Sequence, residues 1–215
     1  MHMKIRCSSL LFILVALLIT VGCAHNKTIE GFNAIEWFEI GRQASIDNHL
    51  DKALDAFNKA IELDPKVAKT YVNRGRAYYY LGNHNQEIAD YNKVIELDPK
   101  DAEAYVSRGN AYDSLGNYKQ AIADYYKAIE LNPKNTYAYV NRGGVYVKLS
   151  NHKQAIADYD KAIELDAEFA LAYYNRGLAY SAFGNHKQAI ADWQIAARLG
   201  LKEAQDYLKQ QEIAW

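Results

Sequence analysis

Apolar residues recur three or four positions apart along most of the chain, which is the spacing of helices that bury one face. One apolar stripe contains Tyr71 and Leu81, and Gly75 lies within it where the helix would meet the bulk of a neighbour. The next stripe extends from Ile88 to Leu97. No segment shows the alternation of apolar and polar residues that a half-buried strand would give. The pattern therefore predicts an all-α protein.

The same pattern repeats at a constant interval, which Pro65, Pro99 and Pro133 mark. An Asn/Ser-Arg-Gly block recurs at 73–75, 107–109, 141–143 and 175–177, and an Ala-Ile-Ala-Asp-aromatic block recurs at 121–125, 155–159 and 189–193. A period of about 34 residues is typical of a solenoid of stacked helix–turn–helix units. Because one unit cannot bury its apolar face alone, stability is expected to arise from contacts between neighbours.

These blocks resemble the tetratricopeptide repeat. Residues 102–135 match the family pattern throughout, at Tyr105, Gly109, Tyr112, Gly116, Ala121, Tyr125, Ala128 and Pro133. Departures in the other units are Ala44, Asn48, Glu87, Val94, Ser150, Ala167 and Leu201. The resemblance implies a right-handed α-solenoid of about five repeats, at 34–67, 68–101, 102–135, 136–169 and 170–203. A C-terminal capping helix is expected within 204–215, beginning at Ala204, and Trp215 is a candidate tether or contact point.

Two features predict where the second helix of each repeat begins and ends. Asn83, Asn117, Asn151 and Asn185 each precede a glutamine by three residues, which predicts a capping box with asparagine as the N-cap. Asp98-Pro99 and Asn132-Pro133 are expected to stop the helix, because a residue before proline avoids helical angles.

A paired set of charges also follows the period. Arg74, Arg108, Arg142 and Arg176 are each followed, at one constant offset, by an aspartate: Asp90, Asp124, Asp158 and Asp192. The first repeat has Ile40 and Ala56 at the corresponding two positions. This joint replacement favours a buried ion pair within each repeat over a phosphate-binding row of arginines.

The N-terminus has the features of an export signal. Lys4 and Arg6 precede an apolar run from Leu10 to Val21, which is too short to span a bilayer. Thr20-Val21-Gly22-Cys23 resembles the lipobox of bacterial lipoproteins, although leucine is commonest where Thr20 stands. The resemblance implies a signal peptide at 1–22, acylation of Cys23 and a lipidated linker at 23–33. Ala24, rather than aspartate, then favours the outer membrane, facing the periplasm. The alternative is a plain secretory signal with an incidental cysteine.

The first helices of stacked repeats are expected to line a concave groove. Its candidate binding residues are polar or aromatic: Asn73, Arg76, Tyr79, Tyr80, Asn110, Tyr137, Asn141, Tyr174 and Asn175. Related repeats bind extended peptides through such asparagines, and tyrosines are frequent anchors of interfaces. The alternative is that the asparagines are merely tolerated and that the tyrosines pack on their own helices.

Composition and motifs argue against several other classes of function. The net charge of −1 lacks the basic excess typical of nucleic-acid binding. Both cysteines, Cys7 and Cys23, lie close to the N-terminus, so no zinc cluster or thiol active site is expected downstream. His84, His152 and His186 share one place in the repeat, and ligands spaced by whole repeats would diverge rather than converge on a metal. No phosphate loop or nucleophile elbow occurs. We therefore expect no enzyme, no cofactor and no bound metal.

The sequence thus predicts a lipid-anchored periplasmic scaffold that binds a segment of a partner protein in its groove. Similar lipoproteins serve as pilotins or as adaptors for cell-wall hydrolases. The alternative is an exported soluble repeat protein that binds a non-protein ligand such as a glycan through Tyr79, Tyr80 and Tyr137.

Overall fold

The structure is a computed structural model that describes residues 31–215. Within that range it contains eleven helices and no strand, so the predicted all-α solenoid is confirmed. The first ten form five consecutive pairs, each consisting of a first and a second helix of one repeat, and the eleventh stands alone at the C-terminal end. The helices are α1 (Ala34–Ile46), α2 (Leu50–Leu63), α3 (Ala68–Tyr80), α4 (His84–Leu97), α5 (Ala102–Ser114), α6 (Tyr118–Leu131), α7 (Thr136–Lys148), α8 (His152–Leu165), α9 (Ala170–Ala182), α10 (His186–Arg198) and α11 (Lys202–Gln210).

Each helix packs against the next helix in the chain, and this produces one continuous stack. First helices of adjacent repeats also contact each other, as α5 contacts α7 and α7 contacts α9. Within residues 31–215, the second helices of adjacent repeats have no comparable contacts. The first helices therefore line the inner, concave side of the stack, and the second helices form its outer side.

Every helix pair closes through a glycine of the first helix that faces an aromatic ring of the second. In the third repeat, a Cβ atom at Gly109 would lie 2.7 Å from the Tyr125 ring. At Gly41 and Gly177 the corresponding distances to Phe57 and Trp193 would be 2.6 and 2.5 Å. The role predicted for glycine at this place is confirmed, because any larger residue would push the two helices apart.

The predicted ion pairs are present in repeats two to five. In the third repeat, Arg108 donates two hydrogen bonds to Asp124, from Nε at 2.8 Å and from Nη2 at 2.6 Å. Both side chains are largely buried, and the hydrogen bond to Asp124 raises the pKa of Arg108. The repeat stack therefore contains a buried charge pair at each of these positions, as the joint replacement by Ile40 and Ala56 indicated.

The arginines also connect each repeat to the one before it, which the sequence did not reveal. Nη1 of Arg108 donates to Asn92 at 2.7 Å. Arg74 bonds Asn58 in the same way, whereas the guanidinium of Arg142 stacks on the Tyr126 ring at 4.1 Å. One side chain thus stabilises both a repeat and its junction.

The predicted capping boxes of the second helices are wrong. Asn83 and its equivalents are the N-cap residues, but their side chains accept no hydrogen bond from the helix. The reason is the tight turn before them, which holds Asn83 at a ψ of 63°. Asn33, at a ψ of 173°, does form a capping box with Glu36 at the start of α1. Only the extended conformation aims the side chain at the first helical N–H groups.

The second helices of repeats one to four end in the same way, with or without proline. They stop at Leu63, Leu97, Leu131 and Leu165. The next side chain, Asp or Asn, accepts a hydrogen bond from the backbone N–H two residues later, and this also occurs at Asp166, which alanine follows instead of proline. The predicted end of the helix is confirmed. However, the feature common to all four ends is this side-chain hydrogen bond, an Asx turn, rather than the proline.

The last repeat is covered by α11, which confirms the expected capping helix. It begins at Lys202, two residues earlier than predicted, and buries Ala204 and Leu208 against the fifth repeat. Gln194 donates a hydrogen bond to the backbone oxygen of Ala214 at 2.6 Å and holds the tail, while Trp215 is exposed.

The signal peptide, Cys23 and most of the linker predicted from the sequence lie outside the described residues. Among residues 31–215, no helix combines the length and apolar character that crossing a membrane requires.

Candidate functional site

The concave groove formed by α3, α5, α7 and α9 is the candidate site, and its centre is an asparagine network. The Oδ1 atom of Asn110 accepts two hydrogen bonds at 2.8 Å each, one from the Tyr125 hydroxyl and one from Nδ2 of Asn141. Burial raises the pKa of Tyr125, so its hydroxyl stays protonated and remains a donor. These two hydrogen bonds fix the position of the Asn110 side-chain carbonyl.

This arrangement leaves one donor and one acceptor side by side. Among residues 31–215, the Nδ2 group of Asn110 and the Oδ1 atom of Asn141 have no protein partner, and neither is sealed from solvent. An amide N–H₂ beside a carbonyl oxygen matches the C=O and N–H groups that an extended backbone presents. The centre of the groove is therefore able to hydrogen-bond a peptide unit at both of its polar groups.

The other predicted asparagines differ from this pair. Nδ2 of Asn73 donates to the backbone oxygen of Lys69 at 2.8 Å, on its own helix. The side chain of Asn175 forms no hydrogen bond within the described range and is half-buried. Only the pair at the junction of α5 and α7 is fixed by neighbouring side chains, and such pre-organisation lowers the entropy lost on binding.

The aromatic residues of the groove fall into two exposed groups and one packed residue. Tyr79 and Tyr80 are 50% and 72% exposed and contact each other edge to face, with ring centroids 5.4 Å apart. Tyr137 is 62% exposed and packs edge to face on Phe169 at 5.1 Å. Tyr174 instead packs against the core of the fifth repeat. Tyr79 and Tyr80 end α3, whereas Tyr137 lies at the start of α7, the helix that contributes Asn141 to the network.

Polar side chains of α5 also form hydrogen bonds and an ion pair with residues at the two ends of α7. Nζ of Lys148 bonds both carboxylate oxygens of Asp113, at 2.7 and 2.8 Å, and Nδ2 of Asn135 donates to Glu103 at 2.8 Å. Arg76, which is exposed on α3, has no ion-pair partner in the described part of the chain. The groove therefore has a fixed centre and an unpaired cation beside its first tyrosine pair.

One buried carboxylate lies just behind those tyrosines. Glu87 occupies the place of the family's alanine, is 3% exposed, and bonds Nδ1 of His84 at 2.9 Å. Burial raises the pKa of Glu87, although the hydrogen bond to His84 opposes this shift. The rings of His84 and Tyr79 have centroids 6.2 Å apart. No group of three or more His, Cys, Asp or Glu side chains in residues 31–215 could hold a metal ion.

Sequence reasoning placed the groove residues on the right helices but missed their partners. It did not identify Tyr125 as the donor to Asn110, Phe169 as the partner of Tyr137, or the Lys148–Asp113 bridge. The departure of Glu87 from the family pattern was the one signal that a polar group replaces a core residue.

Comparison with known proteins agrees with this architecture. The family described as tetratricopeptide repeat matches residues 102–135, and the one described as TPR repeat matches 47–82, 75–116 and 143–184, together more than half of the chain. No curated protein matches the chain.

Solved structures of repeat proteins superpose on most of the molecule. A MamA crystal structure is 31% identical, with 77% of this chain and 97% of MamA covered and a TM-score of 0.70. Another MamA structure is 29% identical, with 85% and 97% covered and a TM-score of 0.70. YrrB, whose structure is described as a TPR protein with an unusual peptide-binding site, is 23% identical, with 82% and 92% covered and a TM-score of 0.65. The chain is a member of the tetratricopeptide-repeat family.

Proposed function

We propose that this protein is an adaptor whose groove binds an extended segment of a partner protein, without catalysing a reaction. The observation that carries the proposal is the pair of free polar groups at the groove centre, Nδ2 of Asn110 and Oδ1 of Asn141. A partner backbone would accept from the first and donate to the second, so recognition at this point would be independent of the partner's side chains.

The flanking aromatic groups would supply the selectivity. Tyr79 and Tyr80 at the end of α3 and Tyr137 at the start of α7 offer rigid, partly apolar surfaces for the partner's side chains. The tyrosine pair meets at an interplanar angle of 69°, so the two rings do not form one flat platform for a sugar ring. This geometry favours a peptide over the glycan alternative. The unusual peptide-binding site described for YrrB is consistent with the use of this fold for peptides.

We also propose that the protein is anchored by acylation of Cys23 and acts on the periplasmic face of the outer membrane. The basic residues Lys4 and Arg6, the short apolar run and the small residues before Cys23 support this proposal. Several acyl chains together would give stable anchoring, whereas one chain would bind only marginally. The intact mass of the mature protein tests the anchor, because an unmodified Cys23 would contradict it.

Site-specific photocrosslinking tests the groove. A photoreactive amino acid at Tyr137 should capture a protein partner in cells, and the same amino acid at the exposed Ala123 on an outer helix is the control position. Adding Asn141→Ala to the Tyr137 probe should abolish the adduct while the circular dichroism of the chain is unchanged. If both positions capture the partner equally, or if Asn141→Ala does not affect capture, the partner binds a surface other than the groove.

A further inference from the structure

One edge of the solenoid combines exposed apolar residues with unpaired lysines. This edge is formed by the turns that join the first and second helices of repeats three to five, and we name it the hairpin edge, comprising residues 115–120, 149–154 and 183–188. The residue that caps each first helix here is apolar and well exposed: Leu115 at 40%, Leu149 at 49% and Phe183 at 48%. The three capping residues have almost the same backbone angles, so they project at equivalent places in successive repeats.

The charge of this edge is entirely positive. Each of its three segments contains one exposed lysine, Lys119, Lys153 or Lys187, and no Asp or Glu. None of these lysines forms an ion pair among the described residues, and the second helices that begin here have no acidic residue in their first turn. The corresponding turn of repeat one, residues 47–52, contains Asp47 and Asp51 beside Lys52, and so lacks this positive charge.

The opposite edge, where one repeat joins the next, differs in charge. Between repeats two and five, its connecting segments 98–101, 132–135 and 166–169 carry more acidic than basic side chains: Asp98, Asp101, Asp166 and Glu168 against Lys100 and Lys134. A negatively charged plane would therefore attract one edge of the solenoid and repel the other. Such a molecule has a preferred orientation on an anionic surface.

We propose that the hairpin edge rests on an anionic lipid surface. Lysines alone would suit any polyanion, but here each lysine accompanies a protruding leucine or phenylalanine. Shallow insertion of apolar side chains together with Lys–headgroup attraction is characteristic of binding at a bilayer interface. The groove, on the inner face, would stay open to a partner. This proposal does not depend on acylation of Cys23 or on peptide binding in the groove.

The orientation can be measured with a polarity-sensitive fluorophore. In the full chain with Cys7→Ser and Cys23→Ser, a single cysteine is introduced by Leu149→Cys on the hairpin edge or by Ala167→Cys on the opposite edge. Each is labelled with NBD and mixed with vesicles of phosphatidylcholine that contain phosphatidylglycerol as the minor component. The N-terminal run is the same in every variant, so differences between labels report which edge meets the lipid. The label at 149 should shift to the blue, and the label at 167 should not.

Charge variants then test whether the lysines of the hairpin edge, rather than the positive charge of the whole protein, attract the lipid. Each lysine near an anionic membrane surface strengthens binding about fivefold. Replacing Lys119, Lys153 and Lys187 together by glutamine should therefore lower the ratio of molecules with the hairpin edge bound to lipid over those without it about 100-fold. The matched control replaces Lys93, Lys127 and Lys161, which are already paired with glutamates on the outer helices, and should leave the shift unchanged.

Three outcomes would overturn the proposal. They are the absence of a shift at position 149, equal shifts at positions 149 and 167, and an equal shift on vesicles of phosphatidylcholine alone. A fourth result would also contradict lipid as the partner. If dextran sulfate, added at the same charge concentration as the lipid, abolishes the shift, the hairpin edge binds a soluble polyanion instead.

Discussion

The buried ion pair of the third repeat gives the sharpest stability prediction. Asp124→Ala leaves the Arg108 guanidinium, 19% exposed, with its 2.7 Å hydrogen bond to Asn92 and its contact with the Tyr105 ring at 5.5 Å. Removing one partner of a buried pair costs about 3–5 kcal/mol. Because Arg108 keeps one bond and some contact with water, we expect about 3 kcal/mol for Asp124→Ala. Arg108→Ala should also cost about 3 kcal/mol, since it leaves the Asp124 carboxylate, 8% exposed, without its partner.

The double variant should lose less free energy of unfolding than Asp124→Ala alone. It leaves no unpaired charge, so its cost is mainly the lost packing of the arginine stem, about 2 kcal/mol. The resulting coupling energy is about 4 kcal/mol, slightly above the usual range for contacting residues. The exposed pair Lys127 and Glu130, at 38% and 68%, is the matched control, with a coupling expected below about 0.5 kcal/mol.

Urea denaturation of the four variants of each pair measures both couplings. The two cycles share one repeat, so any change in the cooperativity of the array affects them alike. Strictly additive losses at Arg108 and Asp124, or a coupling no larger than that of the exposed pair, would refute the idea that this pair needs both members.

Three further predictions concern single positions. Gly109→Ala should destabilise by about 1–3 kcal/mol through the clash with the aromatic ring, whereas Gly144→Ala, with no atom closer than 4.0 Å, should stabilise by about 0.5–1 kcal/mol. Ser150→Gly should stabilise by about 0.5–1 kcal/mol, because Ser150 has a φ of 58°. Folding raises the pKa of Glu87, so its ionisation costs stability, and Glu87→Gln should be neutral near pH 4 and increasingly stabilising as the pH rises through the folded pKa.

Thermal unfolding measures each of these changes. Equal effects of alanine at Gly109 and Gly144 would contradict the role of the close helix–ring contact. A lower midpoint for Ser150→Gly would mean that Ser150 makes a contact that matters more than backbone strain. For the carboxylate, Glu96→Gln on the surface is the control, and an advantage of Glu87→Gln that is the same at every pH would show that charge is not the cause.

The repeat architecture could be predicted because each of its determinants is a local or fixed-offset pattern. Gly109 and Tyr125, or Arg108 and Asp124, have the same separation as their equivalents in the other repeats, so the period itself indicates the contact. The capping boxes failed because the conformation of Asn83 is set by the turn before it, which the residue types alone do not define.

The groove was predictable as a surface but not as a site. Asn110 meets Tyr125 of its own repeat and Asn141 of the next, and this network depends on how two repeats stack. The equivalent of Asn110 is Arg76 in repeat two and Gly144 in repeat four, so the period gives no hint of the network. Side-chain orientation across a junction was the missing information.

Peptide affinity tests the central claim, that the groove binds an extended segment, most directly. Peptides selected from a random displayed library against the full chain would be measured by fluorescence anisotropy on the wild type, on Asn110→Ala with Asn141→Ala, and on an outer-face control, Lys93→Ala with Glu96→Ala. Two hydrogen bonds of about 1 kcal/mol each predict at least a tenfold loss for the groove variant. The control should bind like the wild type. Peptides that bind the groove variant and the wild type equally would contradict the account.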